Sequence, residues 1–190
     1  LVLAPNSVAD CLFTTGWAVH LAKTLQAPAL VLSDQLLGQS RVVLDRPADV
    51  QWPCRRELAS RPAAGEPYRR YALTPSGVSP MAVPGTPGCQ YTAEGLEHNE
   101  FGTPSSEAEN HRLQLDKRTR KLDAHDYGDS WASLEGDGDW MIITWGSCTA
   151  AVREAVRRWH EDGGRARMLS IRLLSPVQPK KFPQALRGVS

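Results

Sequence analysis

Four consecutive side chains able to do chemistry, Glu97, His98, Asn99 and Glu100, sit in a loop bounded by Gly95 and Gly102. A histidine flanked by carboxylates can be poised to exchange a proton near neutrality, which general acid–base catalysis requires. The commoner arrangement for such a loop is structural, with polar side chains bonding their own backbone. Upstream, Thr86 stands inside Pro84-Gly85-Thr86-Pro87-Gly88, where the prolines restrict the backbone on both sides and make it a candidate rigid wall over a pocket. Cys89 beside it reads as a small filler, since no single paired histidine can be chosen to activate it. Trp145-Gly146-Ser147-Cys148-Thr149 offers glycine and hydroxyls between a strand and a helix start, a geometry that can hold an anion but more often only punctuates packing. The chain has no GxGxxG, no GxxxxGK[ST] and no GxSxG, which disfavours dinucleotide binding, a P-loop and a hydrolase elbow.

Composition narrows the classes further. The 190 residues are 41% apolar and 23% charged, enough for one large or two small globular domains. A formal charge of +1 argues against a surface built for nucleic-acid phosphates or anionic lipid. No apolar stretch approaches the roughly 20 residues of a membrane helix, and no signal-like leader is seen, so the cytoplasm is the default expectation. Cys11, Cys54, Cys89 and Cys148 are 43, 35 and 59 residues apart, with no CxxC pair to seed a zinc or iron–sulfur site; reduced thiols and no metal are expected.

The elements that position these residues follow from pattern. Leu1-Val2-Leu3-Ala4 reads as a strand entered mid-domain, and the segment after Pro183 as a helix awaiting another strand, so the chain is expected to be cut at both ends. Ser7 and Asp10 form a capping-box variant that predicts a helix to about Gln26, burying Val8, Leu12, Thr15, Val19 and Ala22, with Cys11, Ala18, Leu21 and Leu25 widening the face. Ala29-Leu30-Val31-Leu32 then reads as a strand covered on both faces, which puts Ser33, Asp34, Gln35 and Ser40 at the ligand edge of a parallel sheet, although capping the next turn is the commoner role for Ser33 and Asp34.

Residues 45–105 hold nine prolines and six glycines and show no regular pattern beyond a short helix near Arg55–Ser60. Trp52, Tyr68, Tyr71, Tyr91 and Phe101 argue for an ordered arm rather than disorder. A polar helix is predicted from Ser105 to about His125, its Ala108, Leu115 and Leu122 stripe narrow and its Lys117 to Lys121 basic run solvated. A strand at Trp140–Trp145, a helix from Thr149 to about Asp162 with Val152, Val156 and Trp159 inward, a strand at Arg167–Leu174 and a helix after Pro179 complete a second βαβ unit, expected to be a separate small domain.

The ordered motifs of the arm carry a family resemblance. Tyr71-Ala72-Leu73-Thr74-Pro75-Ser76-Gly77-Val78-Ser79-Pro80, Val83-Pro84-Gly85-Thr86-Pro87-Gly88 and Gly95-Leu96-Glu97-His98-Asn99-Glu100 resemble, in order and spacing, the signatures of the α subunits of 2-oxoacid:ferredoxin oxidoreductases, in particular the 2-oxoglutarate type. Leu3-Ala4-Pro5, Val31-Leu32-Ser33-Asp34-Gln35, Leu115-Asp116-Lys117-Arg118 and Ile143-Thr144-Trp145-Gly146-Ser147 agree with flanking stretches of that family, and the similarity is weakest over residues 41–66.

The resemblance implies an internal fragment of α/β class. Residues 1–44 would be the C-terminal part of a thiamine-diphosphate pyrimidine-binding domain, 45–135 the irregular arm and linker helix, and 136–190 the start of a transketolase C-terminal-like domain. It also implies a β subunit that binds most of the thiamine diphosphate, its magnesium and an iron–sulfur cluster, with ferredoxin, coenzyme A and a 2-oxoacid, 2-oxoglutarate favoured, as further partners. No cofactor is expected on this segment alone, which would be inactive by itself. The family's pyrimidine-activating glutamate would lie before Leu1, which leaves His98, Glu97 and Glu100 as catalytic candidates and Thr86 and Asn99 as pocket cover. Competing readings are a lipoamide-linked or transketolase-like component and a non-catalytic interaction module that kept the fold.

Overall fold

The computed structural model describes residues 1–47, 52, 56–178 and 180–189. Cys54, the Arg55 start of the short predicted helix, Pro179 and Ser190 lie outside the described residues. The chain forms two compact units: Leu1–Ala22, Ala27–Pro53 and Asp126–Ser190 make the first, and Lys23–Gln26 with Cys54–His125 the second.

In the first unit β1 (Val2–Leu3) pairs in parallel with β2 (Leu30–Val31) and antiparallel with β6 (Leu173–Ser175). Between β1 and β2 runs α1 (Asp10–Leu25), whose start is capped as predicted: Ser7 Oγ accepts from Asp10 N at 3.1 Å and Asp10 Oδ2 from Asn6 N at 2.9 Å. The buried stripe of α1 differs from the predicted one. Thr14, Trp17, Ala18, Leu21 and Leu25 are buried, while Leu12 and Val19 are exposed, because the bulky Trp17 turns the inward face by about one position. The expected double cover of β2 is also corrected, since Leu30 is 60% and Val31 37% exposed: β2 lies at the sheet edge, bonded only to β1. After it, α2 (Gln35–Gln39) is capped by Asp34, whose carboxylate accepts from Leu37 N at 2.9 Å.

The second sheet has the order β3-β5-β4, with β5 (Ala166–Ile171) antiparallel to β3 (Ala132–Gly136) and parallel to β4 (Trp140–Thr144). The crossover helix α4 (Cys148–Glu161) packs Val152 and Val156 on Ala166, Met168 and Ile142, whereas Trp159, expected inward, is 42% exposed. Full burial of an aliphatic side chain of this size contributes about 1.5–3 kcal/mol. The strand predicted across Arg167–Leu174 breaks at Arg172 into β5 and β6, and α5 (Lys181–Ala185) follows. β3 was not foreseen, because Ala-Ser-Leu-Glu-Gly has little strand character.

The two α/β segments expected as separate pieces fall in one compact unit. The reason is specific bonding across the long insertion. β1 pairs with β6, Ala4 N donates to Arg172 O at 2.8 Å, and the Asp10 carboxylate meets the Arg172 guanidinium at 2.9 Å with both side chains 13% exposed. The boundary drawn at residue 136 therefore falls at the last residue of β3, and the unit resumes at Asp126.

The second unit holds the proline-rich arm and α3 (Ala108–Asp123). Residues 56–60 are not helical: Leu58 makes a parallel bridge to Met81, with Met81 N donating to Glu57 O at 2.8 Å. Tyr68 Oη donates to Pro80 O at 3.0 Å and accepts from Ala82 N at 3.0 Å, so one phenol satisfies two groups of a strandless backbone. Tyr68 and Tyr71 each meet Tyr91 edge-on at 6.2 Å between ring centres. Trp52 belongs to the first unit, stacked on His20 at 5.1 Å.

Candidate functional site

In the second unit a cavity of about 230 Å³ is walled by one face of α3, the turn at residues 77–79 and the loop at 94–98. The seat of that turn is made by Gly77, at φ +76°: a Cβ there would lie 2.7 Å from Lys117 O and 2.7 Å from the Lys121 Cβ, so only glycine lets the arm reach α3 this closely.

The face that α3 buries is polar. Gln114 is 3% and Lys117 6% exposed, while Leu115 of the predicted apolar stripe is 43% exposed. Lys117 Nζ donates to Tyr71 O at 2.9 Å and to Ser79 Oγ at 2.5 Å, and Gln114 Nε2 donates to Tyr71 O at 3.3 Å. Among its described residues the arm has no extended strands to satisfy its carbonyls, and α3 supplies side-chain donors in their place. This corrects the reading of the basic run as solvated for Lys117 and Lys121, while Arg118 and Arg120 are exposed as expected. Burial, followed by the charges of Lys121 and Arg70, lowers Lys117 to about 8, and burial lowers Lys121 as well. Lys121 Nζ donates to Gln26 O at 3.2 Å, and the Arg70 guanidinium lies over the Tyr71 and Tyr91 rings at 5.1 and 5.7 Å.

His98 is buried, stacked on Tyr71 at 5.4 Å, and its Nε2 has no hydrogen-bond partner; the Glu94 carboxylate lies 3.8 Å away. Glu97 meets His111 Nδ1 at 2.6 Å and Arg118 at 2.8 Å, and these bonds, His111's first, hold its carboxyl below the usual carboxylate range. A carboxylate so held offers no proton near neutrality. Glu100 accepts from Leu73 N at 3.0 Å, and its own carbonyl from Tyr71 N at 3.0 Å. Asn99 Oδ1 accepts from the amides of Phe101 at 3.0 Å and Thr103 at 3.2 Å, closing the loop on itself. Thr86 Oγ1 donates to Val83 O at 2.7 Å, and Thr86 lies outside the cavity lining.

Glu97 and His98 thus line the cavity, whereas Glu100, Asn99 and Thr86 fold the arm. Lys117, Lys121, Gln114, Ser79 and Arg70 were not foreseen as lining residues. One signal was available: Gln114, Lys117 and Lys121 recur at i, i+3, i+7 on α3, a face of polar residues with no acid in it.

In the first unit the Trp145–Thr149 turn is occupied by side chains of the same unit. Asn6 Oδ1 accepts from Gly146 N at 3.1 Å and Thr149 Oγ1 at 3.3 Å, and a Ser147 hydroxyl bond heads the causes that lower the Asp34 carboxyl. Asp34 therefore caps and ties. Cys11, Cys89 and Cys148 are free thiols, and among the described residues no group of three or more His, Cys, Asp or Glu could hold a metal ion.

Comparison with known proteins gives this geometry its context. No protein-family model matches the chain. The 2-oxoglutarate oxidoreductase subunit KorA of Mycobacterium tuberculosis is 32% identical over 189 residues, which is 98% of this chain and 28% of that protein. The 2-oxoacid:ferredoxin oxidoreductase subunit alpha of Saccharolobus solfataricus is 28% identical over 196 residues, 99% of this chain and 30% of its own length. A solved structure of the 2-oxoglutarate:ferredoxin oxidoreductase from Magnetococcus marinus, with 2-oxoglutarate, coenzyme A and succinyl-CoA bound, superimposes with a TM-score of 0.81 at 35% identity, covering 96% of this chain and 32% of that one. Over nearly its whole length the chain is homologous to a part of the 2-oxoacid:ferredoxin oxidoreductase α subunits. It spans about 30% of the length of these α-subunit relatives. The mixed α/β fold agrees with that of the oxidoreductase chain it matches. Among the described residues no helix is long and apolar enough to cross a membrane.

Proposed function

We propose that the protein acts as the α subunit of an oxidoreductase that decarboxylates a 2-oxoacid, 2-oxoglutarate favoured, forming an acyl-coenzyme A and passing electrons to ferredoxin. The observation that carries this reading is the match, over 96% of the chain, to a 2-oxoglutarate:ferredoxin oxidoreductase solved with substrate and product bound. Thiamine diphosphate, when bound in such an enzyme, would supply a nucleophilic carbon and an electron sink for decarboxylation. Its magnesium and the iron–sulfur cluster are assigned to a β subunit, since no group of three or more metal-holding side chains is found among the described residues.

The contribution of this segment is positional. A pyrimidine-binding part over residues 1–44 and a transketolase C-terminal-like part over 136–190 belong to the same proposal, with their strands joined through β1 and β6. The arm, folded on α3, is a candidate cover for the shared cofactor chamber. Asn99, Glu100 and Thr86 shape it, and His98 keeps a shielded nitrogen free. By this reading the segment alone is inactive, and the working protein is a heteromer in the cytoplasm.

The test is to purify the full-length protein with its β subunit and measure viologen-dye reduction with a panel of 2-oxoacids. Reduction dependent on both 2-oxoglutarate and coenzyme A is expected. No reduction with any 2-oxoacid, despite bound thiamine diphosphate and an intact cluster, contradicts the proposal and favours a non-catalytic module; transfer to lipoamide in place of the dye favours the lipoamide-linked alternative.

A further inference from the structure

The cavity on α3 gathers more positive charge than its own carboxylates neutralise. Arg70, Lys117, Arg118 and Lys121 face Glu94 and Glu97, four cations against two anions. Of the two carboxylates Glu97 is already committed to His111 and Arg118. Lys117 and Lys121 spend their bonds on neutral acceptors, Tyr71 O, Ser79 Oγ and Gln26 O, so no bonded carboxylate neutralises either. An ammonium has three N–H donors, so at least one on each lysine is unspent. The Arg70 Nε is buried without a partner, and so is His98 Nε2. Buried donors and charges left in this state cost free energy unless a ligand meets them.

From these groups we propose that the cavity binds a phosphate group, free or carried on a larger phosphorylated molecule. Charge is the first reason: the excess of two cations matches a phosphate, which carries about −1.5 to −2 as a monoester near neutrality. Geometry is the second. The donors approach from three directions, Lys117 and Lys121 from α3, Arg70 from the arm and His98 from the loop, which suits a tetrahedral group better than a planar carboxylate. The proximity of the cations supports it further, because their mutual repulsion, added to burial, pushes Lys117 downward, and a bound dianion would relieve that repulsion. The chemistry of the proposed reaction does not require this site, and its test reads out independently of turnover.

The experiment follows backbone hydrogen exchange in the full-length protein with its natural partners, titrated with inorganic phosphate against chloride of equal ionic strength. Phosphate is expected to slow exchange at residues 70–79, 94–98 and 114–121, and Lys121→Gln and Arg70→Gln are each expected to raise the phosphate concentration needed by about tenfold. Both substituted side chains are only half-buried, so these variants keep the fold where a change at Lys117 risks losing it. Coenzyme A producing the same pattern at lower concentration identifies a phosphorylated cofactor as the source; phosphate alone producing it identifies the free ion. Both outcomes support the site. It is overturned if phosphate protects no more than chloride does, if both variants titrate like the wild type, or if 2-oxoglutarate protects these segments and phosphate does not.

Discussion

Asp10→Asn is expected to destabilise the first unit by about 2–4 kcal/mol, somewhat below the usual cost of leaving one partner of a fully buried ion pair unmatched, because both side chains are 13% exposed. Asp10 is the meeting point of two distant stretches of sequence. Its carboxylate accepts from Arg172 Nη2 at 2.9 Å and Nε at 3.1 Å, from Asn6 N at 2.9 Å and from Thr14 Oγ1 at 3.2 Å. Arg172 in turn donates from Nη1 to Ser130 O at 2.6 Å and lies 5.0 Å over the Phe13 ring, so its position is fixed whether or not the carboxylate is charged. Asparagine keeps the shape and removes the charge, stranding the guanidinium at the junction of β5 and β6. Urea unfolding of the purified protein would measure the loss, and the Asp10→Asn, Arg172→Met double variant should recover part of it, because the stranded cation is then gone. A loss below about 1 kcal/mol would place the pair among exposed bridges such as Arg153 with Glu135, whose side chains are 48% and 39% exposed and from which little stabilisation is expected.

Gly77→Ala is expected to cost about 2–5 kcal/mol, combining a left-handed backbone that alanine adopts poorly with overpacking against a helix backbone. The added methyl would lie 2.7 Å from Lys117 O and 3.0 Å from the Lys121 Cα, neither of which can swing aside. The turn must therefore lift from α3, carrying with it Ser79, whose Oγ accepts from Lys117 and whose carbonyl accepts from Gln26 Nε2 at 2.7 Å. Backbone hydrogen exchange followed against temperature over residues 68–91 would show the second unit opening at a lower temperature; an unchanged midpoint would mean that the turn is not seated on the helix.

Local signals in the sequence were read reliably where a short-range rule decided the outcome. The Ser7 and Asp10 cap, the Asp34 cap, the crossover helix α4 and the polar helix α3 all depend on residues a few positions apart. The family signatures were legible for the same reason, being short continuous motifs punctuated by glycine and proline. Long-range packing was not. Which side of α1 faces inward depends on Trp17 and on strands far away in sequence, and β3 exists because β5 pairs with it, not because Ala132–Gly136 favours extension. The union of two α/β segments across the arm rests on Asp10 with Arg172 and Asn6 with Gly146, separated by 162 and 140 residues, and no periodicity records such pairs.

The cavity illustrates the same limit at a functional scale. Lys117 to Lys121 is a mixed-charge run that a solvated face explains well, and the burial of Lys117 follows only from the carbonyl of Tyr71 and the hydroxyl of Ser79 waiting for a donor. Asn99 and Thr86, expected as pocket cover, spend their amide and hydroxyl oxygens on their own turns. Glu97 and His98 were legible as neighbours of chemistry, but the basic wall opposite them was not.

The cavity and the functional reading depend on the proline-rich arm being a folded body held on α3. Hydrogen exchange at four of its amides tests that most directly: Tyr71, Met81, Asn99 and Ser105, which donate to Glu100, Glu57, Thr103 and Glu97 carbonyls at 2.8–3.0 Å. The account predicts exchange slowed by about a hundredfold or more at all four in the full-length protein. Exchange at the rate of an unstructured chain would contradict it.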